Sequence, residues 1–180
     1  MRPEEKFKGA FVRPKRWFNK KKDWDRVKKQ RVFGLTTSSG KSFACLVPKP
    51  CDSIVWKDIL KTQVVPFLKK SFPRRREYRV LLDGEQMLRA EPAKSFMAER
   101  GMKLLADWPK YSPDLNPQEH VWASAEIDLR KAEKQTDTFA TFQQRCLKAV
   151  RGYKSAAKLV PSMAARMKEV VERHGSMTKK

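Results

Sequence analysis

Residues 108–120 read WPKYSPDLNPQEH, and the way this stretch enters a helix decides the fold. Asn116 is a good N-cap, and Pro117 fits the first helical position, where its missing N–H costs nothing. Gln118 then falls at N2 and Glu119 at N3, the reciprocal position of a capping box. A carboxylate there also meets the positive end of the helix dipole. Helix capping alone is enough to account for Glu119. The pattern predicts a helix over residues 117–134, a second over 138–153 and a last one over 161–174. The final helices carry an apolar face at Leu159, Val160, Met163, Met167, Val170 and Val171 that reads as core, with a protein-binding scaffold as the other reading.

Upstream, the elements alternate. Residues 32–36 and 42–47 read as strands joined by the turn Ser38-Ser39-Gly40, which makes a hairpin. Gly34 and Gly40-Lys41-Ser42 approach a phosphate-cradling loop. Five residues separate the glycines where four are needed, and an apolar strand follows instead of a helix, which argues against nucleotide binding. Residues 53–70 show helical periodicity, with Ser53 as N-cap and Pro66 as a late kink. Residues 78–83, YRVLLD, form a short buried strand stopped by Asp83-Gly84. Residues 91–100 read as a helix with Pro92 at N1 and Gly101 as C-cap, and residues 102–106 as another strand. Strands alternating with helices, then helices alone, imply an α/β fold with a helical C-terminal side.

Charge is the outlying property. The 180 residues hold 41 Lys and Arg against 20 Asp and Glu, formally +21, while 40% are hydrophobic. That length and hydrophobic content suit one domain with a core, and the charge calls for a polyanionic partner, with nucleic acid as the default. Twelve of residues 6–31 are Lys or Arg, interleaved with Phe7, Phe11, Trp17, Phe18 and Trp24. The mixture suits phosphate contacts plus stacking on bases. Lys15, Arg16, Trp17, Lys20, Lys21, Lys22, Lys28, Lys29 and Arg31 are the candidates there. The other reading is an arm whose aromatics dock on its own domain. Arg74, Arg75 and Arg76 form a second phosphate-binding candidate, or a solvated loop. Residues 1–31 are thus read as a basic aromatic arm and 32–180 as the folded domain.

Cys45, Cys51 and Cys146 are odd in number and form no C-x-x-C pair, which fits an intracellular, reducing compartment. His120 and His174 are too few for a His-based metal site. No apolar run approaches the roughly 18 residues of a membrane span, and no signal peptide is present. Between organelle and nucleus the residues do not choose.

YSPDLNP-x-E, preceded by Trp108-Pro109 and followed by Trp122, resembles the third catalytic block of the Tc1/mariner DDE transposases. The resemblance implies an RNase H-like mixed sheet with flanking helices. It places the third metal-binding acid on Glu119 and the second on Asp83, with 35 residues between them. VFGLTTSSGKSF resembles the family's V-W-G hairpin, and the C-terminal LVPSMAARMKEVVERHGSMTK its closing helix. The reaction implied is phosphodiester cleavage with two Mg²⁺ ions on hard oxygen ligands, and Asp83 and Glu119 would be metal ligands.

The chain departs from that pattern in places. Only 31 residues precede Val32, no strand-borne Asp lies among them, and Asp23 and Asp25 are weak substitutes. A His often found five residues after the second Asp is Leu88 here. The family's DNA-reading helix-turn-helix domains have no counterpart. Met1 and the lysine-rich start read as a complete chain; a fragment of a longer active protein is the other account.

The reading that follows is a transposase core with an incomplete first strand, no cofactor and vestigial acids. It would bind RNA in preference to DNA as a structural subunit of a ribonucleoprotein such as an organellar ribosome, among other proteins of the particle. The alternative is an active, Mg²⁺-dependent DDE nuclease core acting on DNA.

Overall fold

The first described strand opens where the lysine run gives way to β-branched and apolar residues. β1 (Arg31–Thr36) and β2 (Ser42–Val47) pair antiparallel, with Arg31 opposite Val47 and Thr36 opposite Ser42. Thr37 closes the turn: its Oγ1 donates to Lys41 O at 2.9 Å, and Gly40 takes a φ of +78° that favours glycine. This is the hairpin expected from the sequence, and no helix follows it as a phosphate loop would require. The computed structural model describes residues 30–82, 86–105, 112, 114–132 and 138–176. The arm's candidates from Lys15 to Lys29, with Asp23 and Asp25, lie outside these residues.

The chain packs as two units, one made of Lys49–Tyr111, the other of Met1–Pro48 with Ser112–Lys180. In the first unit, α1 (Ser53–Ile59) runs through a π-helical turn, Leu60–Val64, into α2 (Val65–Ser71). The cap is Asp52, not Ser53: its carboxylate accepts from Ile54 N and Val55 N, both at 2.9 Å. Two bonds outweigh the serine's weaker offer.

Trp56, Leu60, Val64 and Leu68 are all buried, at a strict four-residue spacing. An α-helix turns about 100° per residue, so such a stripe drifts by about 40° at each step. The wider i→i+5 turn offsets that drift and keeps the stripe on the core. It also sits just before Pro66, whose missing donor the sequence reading expected to end or kink the helix; the helix continues instead.

β3 (Tyr78–Val80) follows, then the short α3 (Gln86–Arg89), α4 (Ala93–Glu99) and β4 (Met102–Leu104). β3 and β4 are parallel, with Tyr78 opposite Met102. Pro92 stands at the N-cap of α4, one place before its expected position. Gly101 has a φ of +70°, and a side chain there would strike the Arg76 carbonyl.

The second unit is completed by α5 (Pro117–Ala132), α6 (Phe139–Arg151) and α7 (Ala156–Glu172). Val121, Ala125 and Leu129 of α5, Phe142, Cys146 and Val150 of α6 and Leu159 of α7 close over Val32 and Ala44 of the hairpin. Thr138 caps α6 by accepting from Thr141 N at 3.1 Å. α7 begins five residues before the expected Pro161, which lies inside it. Burial of Ala156 and Leu159 rewards the earlier start. The expected apolar face of α7 is only partly core. Leu159 is buried, whereas Met167 and Val171 are 46% and 75% exposed.

Candidate functional site

The start of α5 is fixed from three sides. Asn116 acts as the N-cap its sequence suggested, its side-chain oxygen accepting from Gln118 N at 3.0 Å. The Asn116 carbonyl accepts from Glu119 N at 3.1 Å. Pro117 is buried at the first helical position. These bonds leave Glu119 half-buried in the first turn, in the field of the helix's positive end.

The second support comes from the hairpin. Thr36 Oγ1 donates to Gln118 Oε1 at 2.9 Å across 82 residues of sequence. Gly34 makes this approach possible. A Cβ there would lie 2.5 Å from Gln118 Nε2 and 2.8 Å from Trp122 Cζ2. The glycine of the V-F-G motif therefore sets how closely α5 lies on β1, and with it the register of Glu119.

The third support is Arg166 of α7. Its Nη1 donates to Asp114 O at 3.1 Å and lies 2.8 Å from His120 Nε2, while Nη2 donates to Ser162 Oγ at 2.7 Å. A guanidinium has only donors, so in this pair it is His120 that accepts, through Nε2. The closing helix is thus tied to the residue next to Glu119. Sequence reading missed Arg166 and Gln118. Their partners lie 46 and 82 positions away, beyond any local pattern.

The other candidates fall as follows. Asp83 lies outside the described residues, two places past Leu81, where the chain leaves β3. Among the described residues no group of three or more His, Cys, Asp or Glu could hold a metal. Glu119 is the one acid of the implied donor set described there. Asp83, the other acid the resemblance implies, lies outside them, and one carboxylate alone does not make up the oxygen ligands that a pair of Mg²⁺ ions takes.

Leu88 is 6% exposed, a core side chain where the family pattern often has a histidine. Arg31 is half-buried at the start of β1. Arg74, Arg75 and Arg76 are all exposed between α2 and β3. Their loop is nonetheless anchored. The Arg75 guanidinium lies 4.7 Å from the Phe72 ring centroid, and the Arg75 carbonyl accepts from Tyr78 Oη at 3.3 Å. The loop's backbone is held while its three arginines stay exposed.

A family model described as "DDE superfamily endonuclease" matches residues 5–143. The chain belongs to the DDE superfamily. The DDE match takes in the whole basic run at 6–31 as well as the hairpin and α5. The Tc3 transposase of Caenorhabditis elegans is 25% identical over 147 residues, 81% of this chain and 44% of the relative. The Tc1 transposase of the same species is 28% identical over 150 residues, 82% and 53%. The Tcb2 transposase of Caenorhabditis briggsae reaches 33% over 79 residues, 44% and 28%.

This DDE chain therefore spans about half the length, or less, of these curated relatives. The catalytic domain of the Mos1 mariner transposase superposes with a TM-score of 0.69 at 16% identity, over 84% of this chain and 77% of that one. The chain is a Tc1/mariner-type DDE core with an RNase H-like fold.

Proposed function

We propose that this DDE core is a nucleic-acid-binding protein that holds RNA by its phosphate backbone and does not cut. It would serve as a structural subunit of a ribonucleoprotein, such as an organellar ribosome. The observation that carries the proposal is the formal charge of +21, with twelve cations crowded into residues 6–31. Charge on that scale opposes folding unless a polyanion neutralises it. The exposed, backbone-anchored arginines at 74–76 support the same reading. So does Leu88, whose burial leaves an apolar side chain in place of a histidine.

A solved relative, the Mos1 transposase, is described as a "paired-end complex with left transposon end". That chain superposes with a TM-score of 0.70 at 18% identity, over 85% of this chain and 46% of its own. Contact with nucleic acid is the part of that relative's behaviour carried over here.

The second reading is a metal-dependent nuclease using Asp83 and Glu119. One observation favours it: three independent contacts hold the helix turn of Glu119 in register, more than a cap requires. Nicking of plasmid DNA in Mg²⁺ or Mn²⁺ separates the two. The first reading expects tight, sequence-tolerant RNA binding, steeply weakened by salt, and no nicking. Metal-dependent nicking abolished by Asp83→Ala or Glu119→Ala overturns it.

A further inference from the structure

The positive charge is not spread evenly over the described residues. α5 and the end of α7 neutralise their own cations: Arg130 pairs with Glu126, Lys168 with Glu172 and Arg173 with Glu169. Two other segments carry cations with no carboxylate among them. Residues 138–168 hold seven Lys and Arg and no acid, and residues 30–51 hold none either.

The fold brings these two acid-free segments together. A Cβ on Gly40 would lie 2.6 Å from Ala157 Cβ, so the hairpin turn sits against the first turn of α7. Lys41 follows Gly40 and Lys158 follows Ala157. Lys154 stands in the short link between α6 and α7. Lys41, Lys154 and Lys158 are all exposed, and none is ion-paired with a described carboxylate.

Lys158 is also placed against local helix energetics. Ser155 is the N-cap of α7 but accepts no hydrogen bond through its side chain, and Lys158 is the third helical residue. An acid is favoured there, both for the capping box and for the helix dipole. A lysine at that position adds positive charge where the helix end is already positive, which a polyanionic partner would offset.

We propose that the corner where the β1–β2 turn meets the start of α7 is a nucleic-acid docking surface, with Lys41, Lys154 and Lys158 contacting the phosphate backbone. None of these three lysines belongs to the arm or to Arg74–Arg76. The proposal rests on the nucleic-acid-binding reading above and adds a location to it. Phosphate contact by this route is indifferent to base sequence.

The test uses the full chain and a 30-nucleotide polyuridine RNA, with binding measured from low to moderate salt. Each phosphate contact on a single strand contributes about 0.7 to the slope of log K against log salt. The triple variant Lys41→Gln/Lys154→Gln/Lys158→Gln is expected to flatten that slope by about 2. A control of equal charge, Lys61→Gln/Lys69→Gln/Lys70→Gln in the Lys49–Tyr111 unit, is expected to change it far less. Lys158→Glu alone should weaken binding while leaving the melting temperature equal or higher, because the new acid suits the helix end. That split separates docking from damage to the fold.

Equal flattening by corner and control variants overturns the proposal, as does RNA binding that the corner variants leave unchanged. A wild-type chain that ignores RNA but binds phosphatidylserine vesicles overturns the nucleic-acid reading itself.

Discussion

Gly34→Ala is the sharpest probe of how Glu119 is positioned. The added carbon would lie 2.8 and 2.9 Å from Trp122 Cζ2 and Cη2, and 2.5 Å from Gln118 Nε2. Carbon atoms settle at about 3.5–4.0 Å, so the indole must retreat by roughly 0.6–1.2 Å or the strand must move. Such overpacking costs about 1–3 kcal/mol. The Gln118 amide can swing aside, but it then gives up the bond from Thr36, worth about 1 kcal/mol. Against this, alanine restricts the unfolded chain and returns about 0.4–1 kcal/mol. The net loss is about 1–3 kcal/mol, read from urea unfolding followed by circular dichroism.

A double-mutant cycle isolates the cause. Trp122→Phe removes Cζ2 and Cη2, so Gly34→Ala should be at least about 1 kcal/mol milder in that background. Additive effects, or a single variant within about 0.5 kcal/mol of wild type, would refute the claim that Gly34 sets the spacing of α5.

Other expectations follow from the same geometry. Asp52→Ala removes the acceptor for two backbone donors and should cost about 1 kcal/mol in thermal or urea melts, while Ser53→Ala should be nearly silent. Burial pushes the Cys146 thiol up to about 12 from an ordinary 9.0, so it should resist alkylation at pH 8 in the folded chain while the less buried Cys51 reacts first. Because the folded value is the higher one, the Cys146 contribution is intact below pH 9. It is lost as pH rises from there towards 12, at up to about 1.4 kcal/mol per pH unit, which an alkaline titration of stability would detect. Arg166→Ala leaves His120 Nε2 and the Asp114 carbonyl without their guanidinium donor. With both residues at least partly open to water, it should cost about 1 kcal/mol and loosen α7, visible as faster amide exchange over residues 156–172; unchanged exchange would show that α7 is held by packing alone.

What could be read from the sequence was mostly decided within a few residues. The Asn116-Pro117 helix start and the turn at 38–40 are chemical choices made by neighbours and stand where their residues point, whereas the cap expected at Ser53 belongs to Asp52. The motif around Glu119 likewise carries family membership in a dozen positions. Pro161 misled because a local breaker was overruled by burial of Ala156 and Leu159, which no window around the proline reveals. Pro66 misled for a related reason, since the π turn ahead of it depends on which face of Trp56–Leu68 meets a core. The clamp from Arg166 and the reach of Gln118 to Thr36 join residues far apart in the chain. Only the folded arrangement discloses them.

The unit that carries Glu119 is assembled from two pieces of chain separated by residues 49–111. During synthesis the hairpin is complete by Val47, yet the last α5 side chain that covers it, Leu129, follows about 80 residues later. At about 5–20 residues per second that is a delay of roughly 4–16 s. A two-stranded hairpin is at best marginally stable by itself in water. For that interval Val32 and Ala44 have no cover from α5, and the strand edges can pair with other chains. The intervening unit has its pieces together much sooner. Nascent chains stalled before residue 117 should therefore protect residues 53–104 from proteolysis while leaving the hairpin open to it, so the segment that ends up supporting Glu119 is the part of this fold most in need of a chaperone.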